Sequence, residues 1–183
     1  MVPYIIRFLR LCLLGLPPYL LLRRPWRHPG RREAVLGCFC LYLWALLCLA
    51  LAGHWQPPAQ MLQVALRRLS SGDSINLVPF HTISSFFRYL SFDDFLVNIC
   101  GNVLIFVPWG FGLVLLWKPC RSPFRLTVLC LLPTVTIEFL QLFIGRHVDV
   151  DDLILNFTGG LLGALCWFGV RRWFPVLDTF SSR

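Results

Sequence analysis

Residues 134–163 read TVTIEFLQLFIGRHVDVDDLILNFTGGLLG. Two apolar runs meet at a short polar turn, and charged groups reach into both of them. Glu138 lies well inside the first run, Arg146, Asp149, Asp151 and Asp152 crowd the turn, and Asn156 sits just inside the second run. A carboxylate near the centre of a membrane-spanning helix costs roughly 2.5–3.5 kcal/mol on insertion scales, so such residues have partners or a job. The stretch therefore reads as a membrane hairpin whose tip is the place to look for function.

The rest of the chain supports a membrane setting. Its 183 residues are 57% hydrophobic and only 14% charged, with a mean hydropathy of +0.68, whereas soluble domains average about 25% charged residues. Since about 20 apolar residues cross the hydrocarbon core, the length suits about four or five helices in one compact unit. Apolar runs cover residues 34–53, 95–117, 124–144 and 153–170. The expected fold is an all-α integral membrane helical bundle, with four transmembrane helices plus an N-terminal interfacial or re-entrant segment. Residues 1–33 form the basic, partly apolar N-terminal segment, 34–172 the transmembrane domain with an extracytoplasmic loop at 54–94, and 173–183 a cytoplasmic tail.

The N-terminus only superficially resembles a signal peptide. Arg7 and Arg10 interrupt the apolar stretch, Pro17-Pro18 lies within its continuation, and RRPWRHPGRR follows where a small-residue cleavage site would stand. An interfacial or re-entrant segment with snorkelling arginines fits this pattern, and a fifth span over residues 2–22 is the alternative. The eight cysteines lie mostly within apolar runs without a Cys-x-x-Cys pair, so they read as small hydrophobes.

A net charge of +8 would suggest nucleic acid in a soluble protein. Here the basic residues flank apolar runs, which is the pattern of topology signals, and no nucleic-acid partner is expected. Arg23, Arg24, Arg27, Arg31 and Arg32 precede the first span, Lys118, Arg121 and Arg125 separate the second from the third, and Arg171 and Arg172 follow the fourth. Alternating spans place all of these on one side. That side is expected to be cytoplasmic with both termini, leaving the 54–94 loop and the 145–152 turn outside. Within the loop, Met61, Leu62, Ala65, Leu66 and Leu69 share one face of a helix predicted over residues 59–69, lying on the membrane. Pro79 ends any helix, and Phe86, Phe87, Tyr89, Phe92 and Phe95 read as an interfacial aromatic belt.

Helical rise brings the polar residues of three spans to one level. Glu138 should lie about 10 Å below the outer turn, Asn156 at a comparable depth, and Asn98 and Asn102 begin the second span from the same side. Asp149, Asp152 and Asn156 recur at i, i+3 and i+7, Glu138 and Gln141 at i, i+3, and Asn98 and Asn102 at i, i+4. Gly159, Gly160 and Gly163 invite a closely packed partner helix. Arg146 is the expected counter-charge for Glu138 or the aspartates. Such a network either staples the spans together or forms a ligand site built from Asn76, Asn98, Asn102, Glu138, Gln141, Arg146, Asp149, Asp152 and Asn156. Arginine with asparagines suits phosphate or carboxylate groups. Asp149, Asp151 and Asp152, with Glu138, supply oxygen ligands for a divalent cation, the one cofactor the sequence suggests. Glu138 and Asp152 are the candidates for acid or base work. No P-loop, dinucleotide fingerprint or HExxH motif occurs.

Four ordered blocks resemble the VanZ-like family: Asn76-Leu77-Val78-Pro79-Phe80; Asn98-x3-Asn102-x3-Phe106-x-Pro108-x-Gly110; Ile137-Glu138-x2-Gln141; and Arg146-x2-Asp149-x-Asp151-Asp152-x3-Asn156-x2-Gly159-Gly160-x2-Gly163. Together they cover about residues 74–165. Thr134 and Thr136 stand where the family commonly has a serine. The resemblance implies a small multi-pass protein of the bacterial cell membrane. It further implies a role at the outer leaflet, binding or modifying an envelope or lipid-linked component and conferring teicoplanin-type glycopeptide resistance. The partners expected are membrane lipids, a lipid-linked envelope precursor or an anionic lipid headgroup. An enzyme acting on a lipid-linked phosphate or sugar, and a structural subunit of a membrane complex, are the alternatives.

Overall fold

The computed structural model describes residues 2–23, 30–51, 57–72, 75–89 and 96–181. Among the described residues, seven α-helices run in chain order over Val2–Arg23 (α1), Arg31–Ala50 (α2), Pro58–Ser71 (α3), His81–Tyr89 (α4), Gly101–Leu116 (α5), Pro123–Phe143 (α6) and Val150–Trp173 (α7). Among the described residues, four stretches are long and apolar enough to cross a membrane: α2, residues Val97–Leu116, α6 and α7. The protein is thus an all-α membrane bundle, built as the apolar runs predicted.

Contacts at the helix ends fix the relative directions of the spans. The end of α2 meets the end of α6, because Gln141 Nε2 donates to the Ala50 carbonyl at 3.0 Å. The start of α5 meets the start of α7, where Asn102 Nδ2 donates to Asp152 Oδ1 at 2.7 Å. Both pairs belong to one end of the bundle, so α2 and α6 run one way and α5 and α7 the other. The opposite end gathers the short 3-10 turns Lys118–Arg121 and Pro175–Phe180 with their basic neighbours.

The tightest junction is between α5 and α7, and glycine makes it possible. A Cβ at Gly159 would lie 2.1 Å from the Val103 carbonyl oxygen, and one at Gly163 only 1.9 Å from that of Val107. Backbone packs directly on backbone, so the small-residue stripe serves the close approach expected of it. Beneath the junction, Val114, Leu116, Cys130, Ala164 and Trp167 are buried. A second cluster joins α2 to α5: Phe39 stacks on Trp109 at 5.8 Å, and the Tyr42 hydroxyl donates to the Ile105 carbonyl at 2.7 Å.

Within the N-terminal segment, Val2–Arg23 forms one helix. It runs antiparallel to α2, with Gly15 against Trp44 and Gly37 against Tyr19. The predicted surface helix is α3. Its Ala65 is buried while Leu62, Leu66 and Leu69 face outward at 55–58% exposure, leaving an apolar stripe free for lipid. Of the expected aromatic belt, Phe92, Phe95 and the side chains of Phe86, Phe87 and Tyr89 lie outside the described residues, as do Arg24 and Arg27.

Candidate functional site

The turn after α6 is built by helix-end chemistry. Gly145 adopts φ 77°, and the Arg146 amide donates to the Gln141 carbonyl at 3.0 Å, which is the Schellman closure of a helix C-terminus. The chain then re-enters the bundle instead of staying at its rim. Val148–Asp149 (β2) pairs in parallel with Ile75–Asn76 (β1), Ile75 opposite Val148 and Asn76 opposite Asp149. This return brings the Asp149 amide to Glu138 Oε2 at 3.0 Å. The Glu138 carboxylate therefore reaches the backbone of β2.

Asp149 and Asp151 organise the backbone. Asp149 is the N-cap of α7, its Oδ1 accepting the Asp151 amide at 2.9 Å, so it satisfies one orphan N–H of the first turn. The same carboxylate accepts Asn76 Nδ2 at 2.9 Å and the Thr82 hydroxyl. Asn76 is itself consumed: its Oδ1 takes the Val78 amide at 3.1 Å and its Nδ2 also reaches Thr82 Oγ1 at 3.1 Å. Asp151 is fully buried. Its two oxygens accept the amides of Phe80 and Ile83, at the N-terminus of α4, where a negative charge also suits the helix dipole. Phe80, with φ 64°, makes the left-handed turn that aims its amide there.

Glu138 and Asp152 are tied less completely. Each uses one oxygen, Glu138 for the Asp149 amide and Asp152 for Asn102. Among the described residues no protein donor reaches Glu138 Oε1 or Asp152 Oδ2. Asn156, 6% exposed, has a buried Oδ1 without a hydrogen-bond partner. A buried polar atom normally finds a partner, and this one is left over after the protein's own bonds are made.

Several sequence expectations change. Arg146 is exposed, and its guanidinium donates to the Ala50 carbonyl at 2.9 Å. Among the described residues it forms no direct ion pair with a carboxylate, because the turn carries it over the C-terminus of α2, whose last carbonyls lack intrahelical donors, but its positive charge still acts on Glu138 and Asp152. Gln141 serves the same carbonyl. Asp149, Asp151 and Asp152 do not converge on a metal, since Asp149 and Asp151 turn their oxygens to amides, and among the described residues no group of three His, Cys, Asp or Glu side chains is arranged to hold one. Asn98 and Asn102 differ in exposure. A π-helical turn at Leu96–Cys100 offsets the 3.6-residue register, so Asn98 faces outward while Asn102 meets Asp152. Asp149 belongs to the cap rather than to a helical stripe with Asp152 and Asn156.

Two residues outside the predicted set hold the site. Thr82 completes the Asp149 shell. Arg68 of α3 donates to the Arg146 carbonyl and to that of Gly145 at 2.8 Å, capping α6 from a distant helix. Nothing in sequence spacing marks either one. Arg68→Met is expected to loosen this turn locally by about 1 kcal/mol. Hydrogen exchange should then be about fivefold faster at residues 144–149 with the spans unaffected; unchanged exchange there would remove the role of Arg68.

A family comparison covers all of these elements. The VanZ/LLP1 family model matches residues 39–173, from within α2 to the end of α7. No curated protein and no solved structure gives a significant match to the chain. The matched segment takes in most of the chain and every candidate site residue, with Asp149–Asp152 at its polar turn: the chain belongs to the VanZ/LLP1 family.

Proposed function

We propose that this VanZ/LLP1-family membrane protein holds the polar headgroup of an envelope lipid or lipid-linked precursor at the outer leaflet of a bacterial cell membrane, and thereby alters access of teicoplanin-type glycopeptides. The observation that carries the reading is the leftover hydrogen-bonding capacity at one end of the bundle. Glu138 Oε1, Asp152 Oδ2 and Asn156 Oδ1 are all acceptors without protein donors among the described residues. A set of acceptors complements a ligand rich in donors, such as sugar hydroxyls or an ammonium group. It suits a bare phosphate poorly, and Arg146 is engaged elsewhere.

The orientation rests on charge. Lys118, Arg121, Arg125, Arg171 and Arg172 all belong to the end opposite the site, and cytoplasmic flanks carry the excess of lysine and arginine. That supports an outer-leaflet position for the acceptors, on the side where envelope precursors are displayed.

The test is glycopeptide susceptibility of cells expressing the wild type or Asp152→Asn at matched abundance. The amide removes the charge while keeping the shape. Susceptibility should return to that of cells lacking the protein while the amount of protein in the membrane holds. If the substitution only lowers abundance, the polar cluster is a structural staple and the reading fails. A second reading, acid–base catalysis on the headgroup, is favoured by the pairing of two carboxylates each with one uncommitted oxygen. Lipid mass spectrometry separates the two, because an enzyme changes the host's lipid-linked precursors on expression and a binder leaves them as they were.

A further inference from the structure

The opposite end of the bundle carries a second concave feature. A cavity of about 490 Å³ opens beside the end of α7, lined by Phe168, Arg171, Arg172, Pro175 and Asp178. Its one carboxylate is already neutralised: Arg121 Nη1 and Arg171 Nε each lie 2.9 Å from an oxygen of Asp178. Arg121 also gives Nε to the Val114 carbonyl at 3.0 Å, and its Nη2 is buried without an acceptor. Among the described residues, no protein acceptor meets the two Nη groups of Arg171 or any nitrogen of Arg172. Arg121 and Arg171 thus share one carboxylate and lie over the Trp167 ring at 4.2 and 5.3 Å, Arg172 lines the cavity beside them, and the donors left over on Arg171 and Arg172 point to an anion.

The rim distinguishes what kind of anion. Phe168 and Pro175 give the cavity an apolar wall, and beside it Trp173 and Phe174 face outward at 83% and 58% exposure. Outward aromatic rings at a span end belong at the membrane–water interface. Arginine's planar fork matches phosphate oxygens, and basic pockets at span ends receive anionic headgroups. We propose that this cavity binds the phosphate of an anionic membrane phospholipid, with Arg171 and Arg172 donating to the phosphate and Phe168 and Pro175 packing against its glycerol and upper acyl chain. The site is independent of the acceptor cluster at the other end.

The test uses the full chain, stripped of lipid in neutral detergent and titrated with phosphatidylglycerol in mixed micelles. Bound lipid is counted by native mass spectrometry. Phosphatidylglycerol should be retained and phosphatidylcholine lost. Arg172→Gln, which breaks no contact of Asp178, should weaken retention about tenfold, the scale of one charge-assisted contact. Arg67→Gln, on the exposed surface of α3, should not change it, and an unchanged thermal midpoint will confirm that both variants fold. Equal loss in the two variants, or equal retention of phosphatidylcholine, would overturn the site. Full displacement by millimolar inorganic phosphate would make the ligand a free phosphate and overturn the lipid assignment.

Discussion

Gly163→Leu is expected to leave little folded protein in the membrane, whereas Gly169→Leu, further along the same helix, is expected to be silent. The difference lies in what the new side chain meets. A Cβ at Gly163 falls 1.9 Å from the Val107 carbonyl oxygen and 2.9 Å from the Phe111 amide nitrogen, while a Cβ at Gly169 meets nothing within 4 Å. Val107 and Phe111 present backbone at that point, which cannot rotate away like a flexible side chain. The helices would have to separate, taking Gly159 from Val103 and Gly160 from Gly110 as well. Overpacking a well-filled core costs about 1–3 kcal/mol when side chains can adjust, so a backbone collision should exceed about 3 kcal/mol. Membrane abundance and the thermal midpoint in detergent measure it. Wild-type values for Gly163→Leu would mean that α5 and α7 are not held backbone to backbone.

What could be read from the sequence divides along physical lines. Hydrophobic length decides whether a helix crosses a bilayer, so all four spans were legible, as was the glycine stripe, whose spacing has few other uses. The convergence of Asn102 with Asp152 followed from helical rise and alternating direction. Backbone chemistry was not legible. Asp151 looked like a metal ligand, but it is buried where the amides of Phe80, in a left-handed turn, and Ile83 meet its oxygens. Asn76 looked like a free donor, but its own Asx turn and Asp149 use its whole amide. Arg146 acts as a counter-charge for Glu138 and Asp152 only at a distance, because a helix end lacking donors holds its guanidinium. Asp151 and Arg146 meet main-chain groups, and Asn76 the Asp149 carboxylate, all far away in sequence, and residue spacing does not encode such meetings.

That distinction yields a contrast between neighbouring aspartates. Asp151→Ala is expected to destabilise the protein strongly, whereas Asp152→Asn should spare its fold and remove its effect. Asp151 is fully buried and accepts the amides of Phe80 and Ile83. Truncating it leaves two donors without an acceptor at about 1–3 kcal/mol each, so the loss should be about 2–5 kcal/mol. Because those amides belong to the start of α4, the damage should begin there. Limited proteolysis should nick residues 77–85 before any span is cut, and the thermal midpoint should fall. Asp152, half-buried, keeps its Asn102 contact through the carbonyl oxygen of an asparagine and loses only the charge on the oxygen that no protein donor meets. If Asp151→Ala keeps both protease resistance and midpoint, its carboxylate does not hold the loop. If both substitutions unfold the protein alike, the separation between carboxylates that build the site and carboxylates left over for a ligand does not exist, and the acceptor cluster is packing rather than function.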